Sequence, residues 1–266
     1  MWKKKGLELR HITPTYKEGI HMYKKVCKRV HGKVLDAGCG ANPERRDTLP
    51  TDIDYLGLDI STIVEKKSKL FKFVKGDLNK ELKFKANQFD FVICWSVLEH
   101  IKNDNVALEQ FYKVLKPNGE LILQVPLKPS SWDYADIEGG HFRRYSYFKL
   151  KNELRKIGFT IEKRYFMRTG LIFLYKKLVR TNNKVRKERY YPDASATPVK
   201  LLKLLSPVFK IDKYIFSKWG HWGLNTVIIA RKGTSIKHLI MNDVYSHYLN
   251  KRLKKWSKGK TLLIER

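Results

Sequence analysis

Two glycines follow the first strand-like apolar run of the chain, at a point where ligands are often held in α/β proteins. The run ends in Asp36, Gly38, Cys39 and Gly40. A glycine turn between a strand and a helix lets the backbone approach a ligand closely, because glycine has no side chain in the way. The spacing departs from the G-x-G-x-x-G fingerprint, since Pro43 occupies the third glycine position. The turn therefore indicates a ligand site other than a standard dinucleotide site.

The next two apolar runs each end in an acid. Asp59 and Ile60 close the second run, and Asp77 and Leu78 close the third. At the first position a carboxylate can accept hydrogen bonds from both ribose hydroxyls of an adenosine ligand. At the second, a carboxylate can meet the exocyclic amine of adenine while the leucine lies on the ring. The alternative for each acid is a solvated strand end or a helix cap.

Two histidines follow later runs. His100 stands after the fourth run, and His141 lies in the segment EGGHFRRYS after the fifth. Imidazole titrates near neutrality and can take a proton from an attacking hydroxyl, so both are candidate general bases. The alternative for His100 is that it only orders its loop.

The arginines and the tyrosine beside His141 are further candidates for contact with an acceptor. Arg143 or Arg144 could bind a carboxylate or phosphate, and Tyr145 could orient or deprotonate an acceptor. The structural alternative is the start of a helix, with Ser146 as its N-cap.

Seven strand-like runs alternate with helix-length polar segments, which predicts a mostly parallel sheet with helices on both faces. The runs are residues 33–40, 54–60, 72–78, 89–96, 119–126, 159–166 and 224–232. We predict a single domain over 1–266. Its core spans about 27–167 and 223–232, with a helical insertion at about 168–222 and a basic helical tail at 233–266.

Five successive motifs resemble those of the class I S-adenosylmethionine-dependent methyltransferases, most closely the small-molecule "type 11" group. They are VLDAGCGANP, YLGLDIS, KGDLN, FDFVICWSVLEHI and LKPNGELILQVP. The resemblance covers about residues 30–166 and resumes at the last strand. It implies a Rossmann-like α/β fold with strand order 3-2-1-4-5-7-6 and an antiparallel last strand. One departure is Asn42, which replaces a third glycine common in the group.

The resemblance also implies roles for the motif residues. The glycines pass the methionine part of S-adenosyl-L-methionine, Asp36 supports the loop, and the backbone near Trp95 lies close to the cofactor's amino group. The predicted cofactor-binding residues are Asp36, Gly38, Cys39, Gly40, Asp59, Ile60, Asp77, Leu78 and Trp95.

Some relatives bind a divalent metal through an ExxEH segment and a later histidine. Here Ser96 replaces the first glutamate, while Glu99, His100 and His141 remain. A site that lacks one anionic ligand is a poor cation site, so we predict no metal.

The chain carries a net charge of +29, and 25 of its 55 basic residues but only 6 of its 26 acids lie in residues 161–266. This surplus is compatible with a phosphate backbone, an acidic leaflet, an anionic substrate or a well-solvated surface. Residues 199–218 place lysines on one helical side and apolar residues on the other, as in an interfacial helix or a lid packed on the core.

We therefore predict methyl transfer to an oxygen of a small or lipid-linked acceptor. The alternatives are an RNA methyltransferase that uses the basic C-terminal region for phosphate contacts, and a binding protein that kept the cofactor fold. Three cysteines without a CxxC pair and an N-terminus without an apolar signal region favour the cytoplasm, with peripheral contact at a membrane surface as an option. Neither the acceptor nor the oligomeric state can be read from the sequence.

Overall fold

The seven predicted apolar runs pair into one sheet. The computed structural model describes residues 14–40, 43–61, 71–167 and 223–233. The strands are β1 (Lys33–Ala37), β2 (Asp54–Asp59), β3 (Lys72–Lys75), β4 (Phe89–Trp95), β5 (Leu115–Pro126), β6 (Phe159–Met167) and β7 (Asn225–Lys232). The helices are α1 (Pro14–Cys27), α2 (Pro43–Arg46), α3 (Asp104–Val114), α4 (Tyr134–Glu138) and α5 (Tyr147–Ile157), with 3₁₀ turns at Leu98–His100 and Pro129–Ser131.

The order of strands across the sheet is β3-β2-β1-β4-β5-β7-β6. The pairs β3–β2, β2–β1, β1–β4 and β4–β5 are parallel, whereas β7 runs antiparallel to both β5 and β6. The predicted Rossmann-like α/β fold is confirmed, including the strand order and the reversed last strand.

Successive side chains of the central strands pack on opposite faces of the sheet. In β4, Phe91 and Ile93 pack with Tyr23 of α1 on one face, while Val92 packs with Phe111 of α3 on the other. Because neither face of these strands meets water, both sets of side chains are apolar and the runs are continuous. Helix α1 lies largely ahead of the predicted start of the core, and it covers one of these faces.

Local signals position helix α5, and one strand is longer than predicted. Gly158 ends α5 in a left-handed conformation, and its N–H reaches the carbonyls of Leu154 and Arg155. Ser146 precedes the helix as predicted, although its side chain makes no capping hydrogen bond. Strand β5 begins at Leu115, four residues earlier than the predicted run, because Leu115 already pairs with Phe89 before an irregularity in register.

The predicted insertion at about 168–222, with its amphipathic segment 199–218, lies outside the described residues. The same holds for the tail beyond residue 233. Among the residues that the structure describes, no helix is long and apolar enough to cross a membrane.

The two-sided core makes a prediction about stability. Leu108 on α3 is fully buried, whereas Val106 on the same helix is 40% exposed. We expect Leu108→Ala to lower the free energy of unfolding by roughly 2 to 5 kcal/mol, and Val106→Ala to change it by no more than about 0.5 kcal/mol. Urea denaturation followed by circular dichroism measures both, and equal losses in the two variants would contradict the assigned burial.

Candidate functional site

A cleft of about 550 Å³ opens where the carboxyl ends of β1, β2, β3 and β4 meet. Its lining includes eight of the predicted site residues: Gly38, Gly40, Asp59, Ile60, Asp77, Leu78, Trp95 and His100. Asp36, Cys39 and His141 were also predicted but do not line it. The parallel order of the strands thus brings most of the predicted residues to one edge of the sheet.

Backbone hydrogen bonds tie the loop after β1 to the end of β2. The N–H groups of Gly38 and Cys39 donate to the carbonyl of Leu58 at 2.7 and 3.1 Å. The N–H of Gly40 donates to Asp59 Oδ2 at 2.9 Å. The three N–H groups in the described part of this loop therefore all donate to protein acceptors.

Gly38 occupies a position that no other residue fits. Its φ is +80°, in the left-handed region, and a Cβ there would overlap the side chain of Val97. At Gly40 φ is also positive, but a Cβ would meet only Arg45 Nη2, at 3.9 Å. The chain thus comes close to the β4 loop at the first glycine and leaves open space in front of the second.

Asp59 is held rigidly at the end of β2. Its Oδ1 accepts the N–H of Ser61 and its Oδ2 accepts that of Gly40, both at 2.9 Å. Each carboxylate oxygen can accept a further hydrogen bond. This half-buried carboxylate therefore presents two fixed acceptors to the cleft, which suits a vicinal diol.

Asp77 is fixed in a similar way by a residue that the sequence analysis missed. Asn79 donates to Asp77 Oδ1 from its backbone N–H at 2.9 Å and from its side-chain amide at 3.1 Å. These hydrogen bonds lower the pKa of Asp77, so the group is ionised and acts as an acceptor. Asn79 Oδ1 in turn accepts the N–H of Lys102, which joins the β3 and β4 loops.

Asp36 and Cys39 lie beneath the loop rather than in the cleft. Asp36 is buried and accepts a hydrogen bond from the Tyr55 hydroxyl at 2.9 Å. Burial raises its pKa, and the charge of Arg45 opposes that rise. The Cys39 thiol packs against Gly57. Burial, followed by the nearby Asp36 and Asp59 charges, raises the pKa of Cys39 to about 12, so this thiol stays protonated.

The two predicted histidines lie together at one side of the cleft. The rings of His100 and His141 meet edge to face, with centroids 4.7 Å apart. His100 Nδ1 lies 3.3 Å from the Gly140 carbonyl, and His141 Nδ1 lies 2.8 Å from Asp136 Oδ1. Because these oxygens only accept, each Nδ1 is the donor of its contact. Burial, then the neighbouring His141, lowers the pKa of His100.

Asp136 anchors the segment that carries His141, and the sequence analysis missed it. The carboxylate is fully buried and accepts two hydrogen bonds from Arg144 Nε, at 2.8 and 2.9 Å. It also accepts the backbone N–H of Asp133 at 2.9 Å. The only sequence signal for this role was an acid five residues before a candidate histidine.

Tyr145, Arg143 and Arg144 do not line the cleft, and each of them contacts protein groups. The Tyr145 hydroxyl lies 2.9 Å from Asp104 Oδ2 and 3.0 Å from the Leu98 carbonyl, and burial raises its pKa. Arg143 pairs with Asp104, and Arg144 pairs with Asp136. These side chains therefore stabilise the segments around the cleft.

Glu99, His100 and His141 place one donor atom each within 4.8 Å of one another, the spacing of a metal site. Ser96, which stands where metal-binding relatives have a further glutamate, donates to the side chain of Gln124 and adds no anionic ligand. The absence of a metal remains a prediction.

Comparison with known proteins identifies the class of site. A family model described as "Methyltransferase domain" matches residues 9–164, more than half of the chain. The chain belongs to this methyltransferase family. Class I membership, as predicted from the motifs, is confirmed, and S-adenosyl-L-methionine is the cofactor of this class. Among the described cleft residues, the carboxylates of Asp59 and Asp77 are acceptors of the kind that its ribose hydroxyls and adenine amine require, and their contact with the cofactor stays a prediction.

Individual relatives are distant. The chain is 37% identical over 97 residues to the uncharacterized protein MJ0638 of Methanocaldococcus jannaschii, covering 36% of this chain and 42% of that protein. It is 26% identical over 163 residues to the ubiquinone biosynthesis O-methyltransferase of Psychrobacter cryohalolentis, covering 54% and 62%. The methyltransferase thus spans less than two thirds of the length of these curated relatives.

A solved structure shares the fold. The phosphoethanolamine N-methyltransferase 2 of Haemonchus contortus, in complex with S-adenosyl-L-methionine, superposes with a TM-score of 0.51 at 20% identity. The match covers 82% of this chain and 53% of that one.

The geometry at Asp59 makes a prediction about cofactor binding. If Asp59 accepts both ribose hydroxyls as predicted, Asp59→Ala removes two charge-assisted hydrogen bonds, each worth about 1.5 to 3 kcal/mol, so affinity for S-adenosylmethionine is expected to fall at least tenfold. Asp52→Ala is the matched control, because Asp52 is exposed and does not line the cleft. Isothermal titration calorimetry measures both, with circular dichroism as a check of folding. Equal affinity in wild type and Asp59→Ala would disprove the ribose assignment.

Proposed function

We propose that this methyltransferase methylates an oxygen of a small or lipid-linked acceptor and that His100, backed by His141, takes the proton from the attacking hydroxyl. The observation that carries the proposal is the histidine pair. His100 lines the cleft with its Nδ1 at 3.3 Å from the Gly140 carbonyl, and its ring packs edge to face on His141, whose Nδ1 lies 2.8 Å from Asp136 Oδ1.

When bound, S-adenosylmethionine supplies an activated methyl group on a positively charged sulfur. The chain therefore has to provide alignment, exclusion of competing nucleophiles and, for a hydroxyl, a base. The loop after β1 and the acids at the ends of β2 and β3 provide the alignment. The histidine pair provides the base.

The state of His100 suits a base. Burial and the neighbouring His141 hold its pKa below the ordinary value of 6.5. The ring is consequently neutral at physiological pH. Asp136 sets the tautomer of His141, because its carboxylate accepts the Nδ1 proton at 2.8 Å.

The acceptor class has weaker support. A relative named as a ubiquinone biosynthesis O-methyltransferase matches 54% of the chain at 26% identity. The lysine-faced segment 199–218, outside the described residues, supports the further proposal of a cytoplasmic protein with peripheral contact at an anionic membrane surface. The net charge of +29 favours RNA as the second candidate acceptor.

Isotope transfer separates these acceptors. Wild-type protein and the Asp59→Ala variant are incubated with trideuteromethyl S-adenosylmethionine and with lipid, small-molecule and RNA fractions of cells that lack the gene. We expect label on an oxygen in the lipid or small-molecule fraction, with wild-type protein and much less with the variant. Label confined to RNA would support the second candidate, and label on nitrogen or carbon would contradict the oxygen assignment.

The pH dependence tests His100 with the acceptor found in that way. As pH falls through its pKa, His100 gains a proton and can no longer act as a base, so the rate falls. Because its pKa is lowered, the acid limb is expected below pH 6.5. His100→Ala should reduce turnover roughly 10² to 10⁴-fold and abolish that limb, with cofactor affinity nearly unchanged.

The matched control is His31→Ala, since the His31 ring packs on Phe91 and does not line the cleft. This variant should keep both the rate and the limb. A His100→Ala profile with wild-type turnover and an unaltered acid limb would assign the pair a structural role.

A further inference from the structure

We infer that Arg45 binds the carboxylate of the methionine end of S-adenosylmethionine, an inference that rests on the proposed function. Arg45 lies on α2 and was not among the residues predicted from the sequence. It lines the cleft next to Gly40, and the residue is half-buried.

Arg45 supplies hydrogen-bond donors of the kind that a bound carboxylate requires. An anionic group that enters a cleft has to exchange its water for donors of the protein. Glycine loops often supply backbone N–H groups for that purpose. Here the N–H groups of Gly38, Cys39 and Gly40 already donate to Leu58 and Asp59. None of these three described N–H groups is left for a carboxylate, which favours a side-chain donor.

Arg45 lies on the side of the cleft toward which we expect the methionine end to extend. Acceptors for the ribose and adenine stand at the ends of β2 and β3, and the sheet order continues from β2 to β1 and then β4. The methionine end, which lies on the far side of the ribose from adenine, thus extends toward β1 and β4. Arg45 is at that place, because its Nη1 donates to the Trp95 carbonyl at 3.1 Å and its Nη2 is 3.9 Å from a Cβ placed on Gly40.

Arg45 also brings a positive charge to the cleft. Arg45 is the one lysine or arginine among the described residues that line the cleft. Its described contacts are the bond to a carbonyl and the face of the Tyr23 ring, with the guanidinium carbon 6.0 Å from the ring centroid. A guanidinium has five N–H donors in a planar fork, so most remain for a ligand, and the fork matches a carboxylate. The Trp95 bond holds the fork in place.

A purely structural role is the alternative, because Arg45 also supports the β4 loop and opposes the rise in the pKa of buried Asp36. Two ligands distinguish the roles. S-adenosylhomocysteine carries the carboxylate, whereas 5′-methylthioadenosine has the same adenosine and thioether but no amino-acid end. A lost carboxylate contact weakens only the first ligand, and a deformed cleft weakens both.

Calorimetric titrations of both ligands into wild type, Arg45→Met and Arg45→Lys test the inference. We expect Arg45→Met to weaken S-adenosylhomocysteine roughly tenfold or more and to change 5′-methylthioadenosine less than about twofold. Arg45→Lys keeps the charge without the fork, so a smaller loss, again confined to the first ligand, is expected. This milder variant carries the test if Arg45→Met fails to fold.

Arg46→Met is the matched control on the same helix, since Arg46 stacks on Phe71 and does not line the cleft. It should change neither affinity. Equal losses for both ligands in the Arg45 variants, or no loss for either, would overturn the inference while leaving the cofactor assignment intact. Wild-type protein that binds neither ligand would instead overturn the proposed function, and with it this inference.

Discussion

The hydrogen bonds from the loop after β1 to the end of β2 determine how this methyltransferase can recognise its cofactor. The backbone donors of Gly38, Cys39 and Gly40 all meet Leu58 and Asp59. These hydrogen bonds fix the Asp59 carboxylate, and Gly38 lies against Val97. The carboxyl ends of strands β1, β2 and β4 are therefore held together. Because these three backbone donors are occupied, we expect side chains from neighbouring elements to bind polar groups of the ligand.

A buried carboxylate organises the opposite wall. Asp136 is fully buried, and such a charge is tolerated only when it is paired and hydrogen-bonded. Arg144 supplies the countercharge, and His141 donates to the same group. His141 then packs on His100, which lines the cleft. The position of a candidate base beside the cofactor thus depends on a charge pair that touches neither cofactor nor acceptor.

The sheet and half of the site could be predicted from the sequence for a physical reason. Strands covered on both faces are continuous apolar runs, and their ends locate Asp59 and Asp77 along the chain. Arg45, Asn79 and Asp136 could not be found in this way, because short turns and a five-residue helix position them, and no periodicity marks such elements. Tyr145 could not be assigned correctly either. Its hydroxyl reaches the Leu98 carbonyl and Asp104 Oδ2, contacts between distant parts of the chain that no local pattern marks.

The structure of the protein with bound S-adenosylhomocysteine is the most direct test of the assignment of the cleft. The account predicts the ribose hydroxyls on Asp59, the adenine over Leu78 with its amine toward Asp77, and the sulfur toward the side of the cleft where His100 lies. A ligand bound elsewhere on the molecule, or bound in the cleft with its adenine at β4 and its amino-acid end at β3, would contradict it.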